Sequence, residues 1–117
     1  MHWDKELVDR IRNILELKSI EYIDKRMFGG TCFMVDEKMC LGTFKGGVMA
    51  RVGPDSVNEY LEIEGVEQMT NAGRTMKGYL NLLPEICDSD EQLEFWISKC
   101  LDFNPNAKSS KKKKKKA

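Results

Sequence analysis

EYIDKRMFGGTCFMVDEKMCLGTFKGGVMARV, residues 21–52, decides the fold. Within it the apolar residues recur with a period of two, in short runs rich in β-branched, aromatic and Met side chains: Glu21–Phe28, Thr31–Val35, Met39–Phe44 and Val48–Val52. That period puts alternate side chains on opposite faces of a sheet. Asp36-Glu37-Lys38 and Gly46-Gly47 separate consecutive runs and suit hairpin turns, the glycines because they accept positive φ. The simplest topology is an antiparallel meander.

On the N-terminal side the period changes to that of a helix. Leu7, Ile11, Ile14 and Leu15 form one apolar stripe over residues 4–18, with Asp4 as the expected N-cap. On the C-terminal side Gly53-Pro54-Asp55 breaks the fourth strand, because proline cannot donate to a central ladder. Ser56 or Asp55 is then expected to cap a short helix carrying Val57, Tyr60, Leu61 and Ile63 and ending at Gly65. A polar stretch, Thr70-Asn71-Ala72-Gly73, leads to a strand over Met76–Leu83, closed by Pro84. Asp88-Ser89-Asp90 starts a last helix, buried through Leu93, Trp96, Ile97 and Cys100. The predicted order is α-β-β-β-β-α-β-α. The fold class is α+β: a two-layer domain over residues 4–104, its antiparallel sheet of about five strands covered by the N- and C-terminal helices. Trp3 and Trp96 are expected to pack those two helices. Residues 105–117 are read as a disordered Lys-rich tail.

Composition excludes several functions. The 117 residues are 41% hydrophobic and 32% charged, as in a soluble globular domain. No run approaches the ~20 apolar residues of a membrane span, and Met1–Arg10 lacks the apolar centre of a secretion signal. The zero net charge conceals an asymmetry. Lys108 and Lys111–Lys116 supply seven of the 19 basic residues, and no acid follows Asp102, so residues 1–107 hold 12 basic against 19 acidic residues, a net charge of −7. Such a body does not wrap duplex DNA. The run Lys111, Lys112, Lys113, Lys114, Lys115 and Lys116 is the candidate nucleic-acid element, binding weakly and without sequence preference; the alternative is a solubilising terminus.

Cys32, Cys40, Cys87 and Cys100 show no Cys-x-x-Cys spacing, and the one histidine is His2, so neither a zinc site nor a Cys–His nucleophile emerges. The thiols are expected to be reduced and buried in a cytoplasmic protein. No cofactor, no metal and no catalytic residue is expected, and the chain is read as a non-enzyme.

Two phrases are more specific than composition. Arg26-Met27-Phe28-Gly29-Gly30 sits at a strand junction, and Gly73-Arg74-Thr75-Met76-Lys77-Gly78-Tyr79 follows later. This pair, with its spacing, resembles the N-terminal domain of the TfoX/Sxy family of bacterial competence regulators, over residues 4–104. Thr75 stands where many relatives carry proline. Longer members add a C-terminal helical domain and act as coactivators beside the cAMP receptor protein; the residues here cover the first domain, so that full role is not carried over. The resemblance implies a regulatory module acting through protein partners, with transcription machinery among them.

Candidate binding residues are Arg26, Gly29, Gly30, Arg51, Arg74, Lys77 and Gly78. The glycines permit a bend or a close backbone approach. The cations suit carboxylate or phosphate groups, and form one basic site at the sheet edge if the two phrases meet in space. The alternative function is a small-molecule or anion-binding domain, an enzyme of unrecognised chemistry included. The methionines admit two readings, adaptable core or a groove for a promiscuous partner.

Overall fold

The computed structural model describes residues 2–27, 30–44, 47–71 and 73–107. The chain runs α1 (His2–Leu17), β1 (Ile23–Met27), β2 (Gly30–Val35), β3 (Lys38–Phe44), β4 (Gly47–Arg51), α2 (Pro54–Tyr60), β5 (Val66–Asn71), β6 (Arg74–Leu82) and α3 (Asp90–Phe103), with single 3-10 turns at Pro84–Ile86 and Asn104–Asn106. The strands form one open antiparallel sheet in the order β1-β2-β3-β4-β6-β5.

The α+β class and the meander β1–β4 are as expected. The sheet has six strands where about five were expected: Val66–Asn71, for which no strand was expected and whose last two residues were read as part of a polar stretch, is β5. Its alternation is weak because Gln68 and Thr70 flank a bulge in the β5–β6 register. The next strand starts at Arg74, two residues before the expected Met76. Three helix boundaries also move. α1 begins at His2, which places Asp4 inside the helix and not at its cap. α2 begins at Pro54, a residue preorganised for a first helical turn, with Gly53 before it and no side-chain cap from Asp55 or Ser56. It ends at Tyr60, so Ile63 lies beyond it, 41% exposed. The C-terminal boundary moves as well: Asn104–Asn106 form a turn, Ala107 is buried, and Lys38 Nζ donates to Pro105 O at 3.3 Å. Residues 105–107 therefore belong to the folded body. Gly46, Phe28, Gly29, the Trp3 side chain and Lys111–Lys116 lie outside the described residues.

Local chemistry explains the joints. α1 stops at Ser19, whose φ of 60° lets Ser19 N–H reach Glu16 O at 3.0 Å and Ile20 N–H reach Leu15 O at 2.9 Å. That is the paired closure of a Schellman end. Asp36 and Glu37 both take positive φ, 57° and 66°, as a two-residue hairpin turn between right-twisted strands requires. At α3 the Ser89 hydroxyl accepts from Gln92 N–H while the Gln92 side chain accepts from Ser89 N–H, each at 3.0 Å. Ser89→Ala is expected to cost about 1 kcal/mol, measured by urea unfolding.

The sheet buries both faces. Under α1 and α3 lie Ile11, Leu15, Phe33, Leu41, Val48, Leu80, Leu93 and Ile97, all without exposed surface. Each such side chain contributes about 1.5–3 kcal/mol by leaving water. On the opposite face Cys32, Met34, Met39, Met49 and Met69 form a second cluster, edged by Phe44, Met76 and Tyr79. These five are at most 6% exposed. They are core.

Candidate functional site

The signature strand β6 is bent at Gly78. Its φ of 84° belongs to the left-handed region, and a Cβ there would stand 3.2 Å from Pro54 Cδ. The bend directs Gly78 O at the start of α2, where it accepts from Val52 N–H at 2.9 Å and Gly53 N–H at 3.1 Å. The signature glycine thus joins β6 to α2.

Arg51 pairs across the ladder with Tyr79, one residue further on. Its guanidinium carbon lies 5.2 Å from the Tyr79 ring centre and 6.0 Å from that of Phe103, and Nη1 donates to Met39 O at 3.2 Å. Burial raises the Tyr79 phenol, and the Arg51 charge opposes that rise. Arg51 is therefore built into the end of the Met-lined face. Arg51→Ala is expected to cost about 1–2 kcal/mol, from the charged hydrogen bond to Met39 O and the cation–π contacts with Tyr79 and Phe103, with Arg51→Lys recovering less than half.

Arg26 lies elsewhere. It is exposed on the edge strand β1, at a hollow of about 430 Å³ shared with Lys5, Asp9, Arg12 and Asp24. There Arg12 holds Asp24 with two N–H donors, at 3.0 and 2.6 Å, and that hydrogen bond raises the Arg12 pKa. Arg74 and Lys77 are exposed on β6, and neither makes an ion pair among the described residues.

The register shows which of these residues meet. Arg26 faces Thr31, Thr31 N–H reaches Thr43 Oγ1, Thr43 faces Val48, and Val48 faces Leu82. Along β6, Leu82 is eight residues from Arg74 and five from Lys77, or about 26 and 17 Å at ~3.3 Å per residue. Four strand spacings of ~4.8 Å separate β1 from β6 besides. The two phrases do not meet, and the single basic site expected of them is not assembled. Arg51, Lys77 and Gly78 come together at the β4–β6–α2 joint. Gly30 opens β2 within close range of Thr43, as the close-approach reading of the motif requires.

Two features were beyond sequence reasoning. Gln68 Nε2 donates to the carbonyls of Met69, Met76 and Tyr79 at 3.0, 3.1 and 3.2 Å, stitching the bulge that β5 and β6 share. Nothing in the spacing of a single glutamine signals this. The Cys100 thiol of α3 is buried in the core beside Cys40 of β3, and burial first, then Cys40, raises its pKa. All four cysteines are free and buried, and burial pushes Cys32 up to about 11 and Cys87 up to about 12. Among the described residues no group of three or more His, Cys, Asp or Glu side chains is placed to hold a metal.

An open six-stranded antiparallel sheet with its long helices on one face, joined at Gly78 and Gly30 by the two signature phrases, defines a small α+β domain of one recognisable type. The family model for the TfoX N-terminal domain matches residues 17–104, and the chain belongs to that family. No curated protein and no solved structure matches it.

Proposed function

We propose that the chain is a regulatory interaction module of the TfoX N-terminal type, which works through a protein partner and not by catalysis. The observation that carries this reading is the family match over residues 17–104. The acidic body favours a protein partner over a polyanion. The exposed Arg74 and Lys77 on the signature strand, without ion pairs among the described residues, are the cations available to that partner.

No helix among the described residues is long and apolar enough to cross a membrane. The cytoplasm is the compartment we assign. Affinity purification from the native cell with the tagged full chain is expected to enrich a component of the transcription machinery. Arg74→Ala/Lys77→Ala should lose that enrichment and Arg26→Ala should keep it. A chain that enriches no polypeptide over a tagged control ends the reading. The duplex-binding role of Lys111–Lys116 is checked separately, by comparing the full chain with one truncated after Ala107 at low salt. Equal affinity removes that role.

A further inference from the structure

A second surface is shaped for a ligand of different chemistry. Between α2 and the C-terminal half of α3 runs a groove of about 430 Å³, with Asp55, Tyr60, Lys99, Asp102 and Phe103 along it. Its floor continues into an aromatic ridge. The Tyr60 ring meets Trp96 edge-on at 5.3 Å, and Phe95 closes on Trp96 at 4.9 Å. Phe95 is 44% exposed and Ile63, whose N–H donates to Tyr60 O at 3.0 Å, is 41% exposed. A large apolar ring left in water beside a buried tryptophan, with a second exposed apolar side chain just beyond Tyr60, is the usual make-up of an anchoring spot.

Carboxylates dominate the charge around this ridge, where Lys99 and Arg51 are the nearby cations. No Lys or Arg occurs in residues 52–73, which contain Asp55, Glu59, Glu62, Glu64 and Glu67. None occurs in residues 78–98 either, which contain Glu85, Asp88, Asp90, Glu91 and Glu94. α1 neutralises only the far side, where Arg10 pairs with Asp90 at 3.0 Å and Lys18 with Glu94 at 3.2 Å. Asp55, Glu59, Glu62 and Asp102 have no ion-pair partner among the described residues. The Tyr60 phenol is raised by burial and then by Glu59 and Asp102, which places both carboxylates in its field. The chain itself shows what the ridge accepts: Lys99 Nζ rests 5.2 Å from the centre of the Phe95 ring.

We infer that this groove docks a cationic segment of a partner protein. One Arg or Lys stem lies along Tyr60 and Phe103 with its head between Asp55 and Asp102, and an apolar neighbour covers Phe95 and Ile63. Aromatic walls suit the aliphatic stem and the cation alike, and a carboxylate on either side completes a charge-assisted pair. A nucleic acid is excluded by the sign of the field. The inference rests on reading the chain as an interaction module and names the chemistry of the partner.

The test uses the full chain and a fluorescein-labelled peptide of alternating Arg and Leu, about nine residues long, followed by anisotropy. The same peptide with Gln for Arg should bind at least about tenfold more weakly. Raising salt from about 50 to about 500 mM should weaken the Arg peptide by a similar factor. Asp55→Asn/Asp102→Asn should lose about tenfold and Phe95→Ser several-fold, both with unchanged circular dichroism. Asp36→Asn/Glu37→Gln, on the β2–β3 turn, should bind as wild type. An equal loss in that control would reduce the effect to bulk charge and overturn the site, as would full binding by the Asp55/Asp102 variant. Changing Lys111–Lys116 to Gln should leave peptide affinity unaltered; a tenfold gain would assign the groove to the chain's own lysines instead. Because the peptide assay needs no cellular partner, its failure with the native enrichment intact removes the groove alone. Loss of the enrichment with peptide binding intact removes the transcriptional reading.

Discussion

Gly30→Ala is expected to lower stability by about 3 kcal/mol, seen as a fall in the urea midpoint at unchanged slope. The residue opens β2 with ordinary negative-φ backbone, so its glycine is not demanded by conformation. Space demands it. A Cβ at Gly30 would overlap the Thr43 carbonyl oxygen and stand 2.7 Å from Thr43 Oγ1. The obstacle is the backbone of β3, a central strand, which cannot turn aside as a side-chain tip would. It is also pinned, because Thr43 Oγ1 accepts from Thr31 N–H at 2.9 Å. Relief would require β2 and β3 to part, exposing Phe33 and Leu41, which have no accessible surface. Gly73→Ala is the matched control. Gly73 has a φ of 80° and nothing within 4 Å of an added Cβ, so only backbone strain of about 1 kcal/mol applies. If Gly30→Ala proved as stable as wild type, close packing would not explain the motif, and exposure of its backbone to a partner would take over as its reason.

The contrast between those glycines shows what was legible beforehand. β1–β4 were located within two residues because they are short runs rich in apolar residues and bounded by turn residues, β2–β4 being buried on both faces. Both long helices were located as closely because each buries one face and the period records it. Leu93, Trp96 and Ile97 were readable as core for that reason. β5 was not, since its bulge interrupts the alternation and Gln68 spends its amide on carbonyls inside the sheet. The candidate site fared worse. Arg26 and Arg74 belong to phrases recognisable together in sequence, but the strand order places three strands between theirs. A motif records residues; it carries no distance between them. The groove of Asp55, Tyr60, Asp102 and Phe103 was invisible for the converse reason, its walls being far apart in the chain and brought together by the fold, where Tyr60 of α2 meets Trp96 of α3.

Alkaline solution is expected to destabilise the protein through its thiols. Burial opposes the thiolate, and it raises Cys32 to about 11 and Cys87 to about 12 from the ordinary 9.0. Burial, joined by the neighbouring Cys40, raises Cys100 well above that value too. A group whose pKa is higher in the folded state adds stability that is complete below the unfolded value. That stability is lost as pH climbs from the unfolded towards the folded value. The window here opens near pH 9 and extends to about 11 for Cys32 and about 12 for Cys87. At pH 10 each of these two thiols should have withdrawn about 1.4 kcal/mol, about 3 kcal/mol together, with Cys100 adding in the same direction. Tyr22, Tyr60 and Tyr79 reinforce the trend, each raised first by burial. Urea midpoints measured in reducing buffer should stay level from pH 7 to 8.5 and then fall steeply. Ellman's reagent at pH 8 should find the thiols nearly silent until urea is added. Cys32→Ala/Cys87→Ala should start less stable, by the methyl-sized gaps it leaves, yet lose less between pH 8.5 and 10. A double variant with the wild-type alkaline slope would show that these thiols do not set the loss, and would return it to the tyrosines.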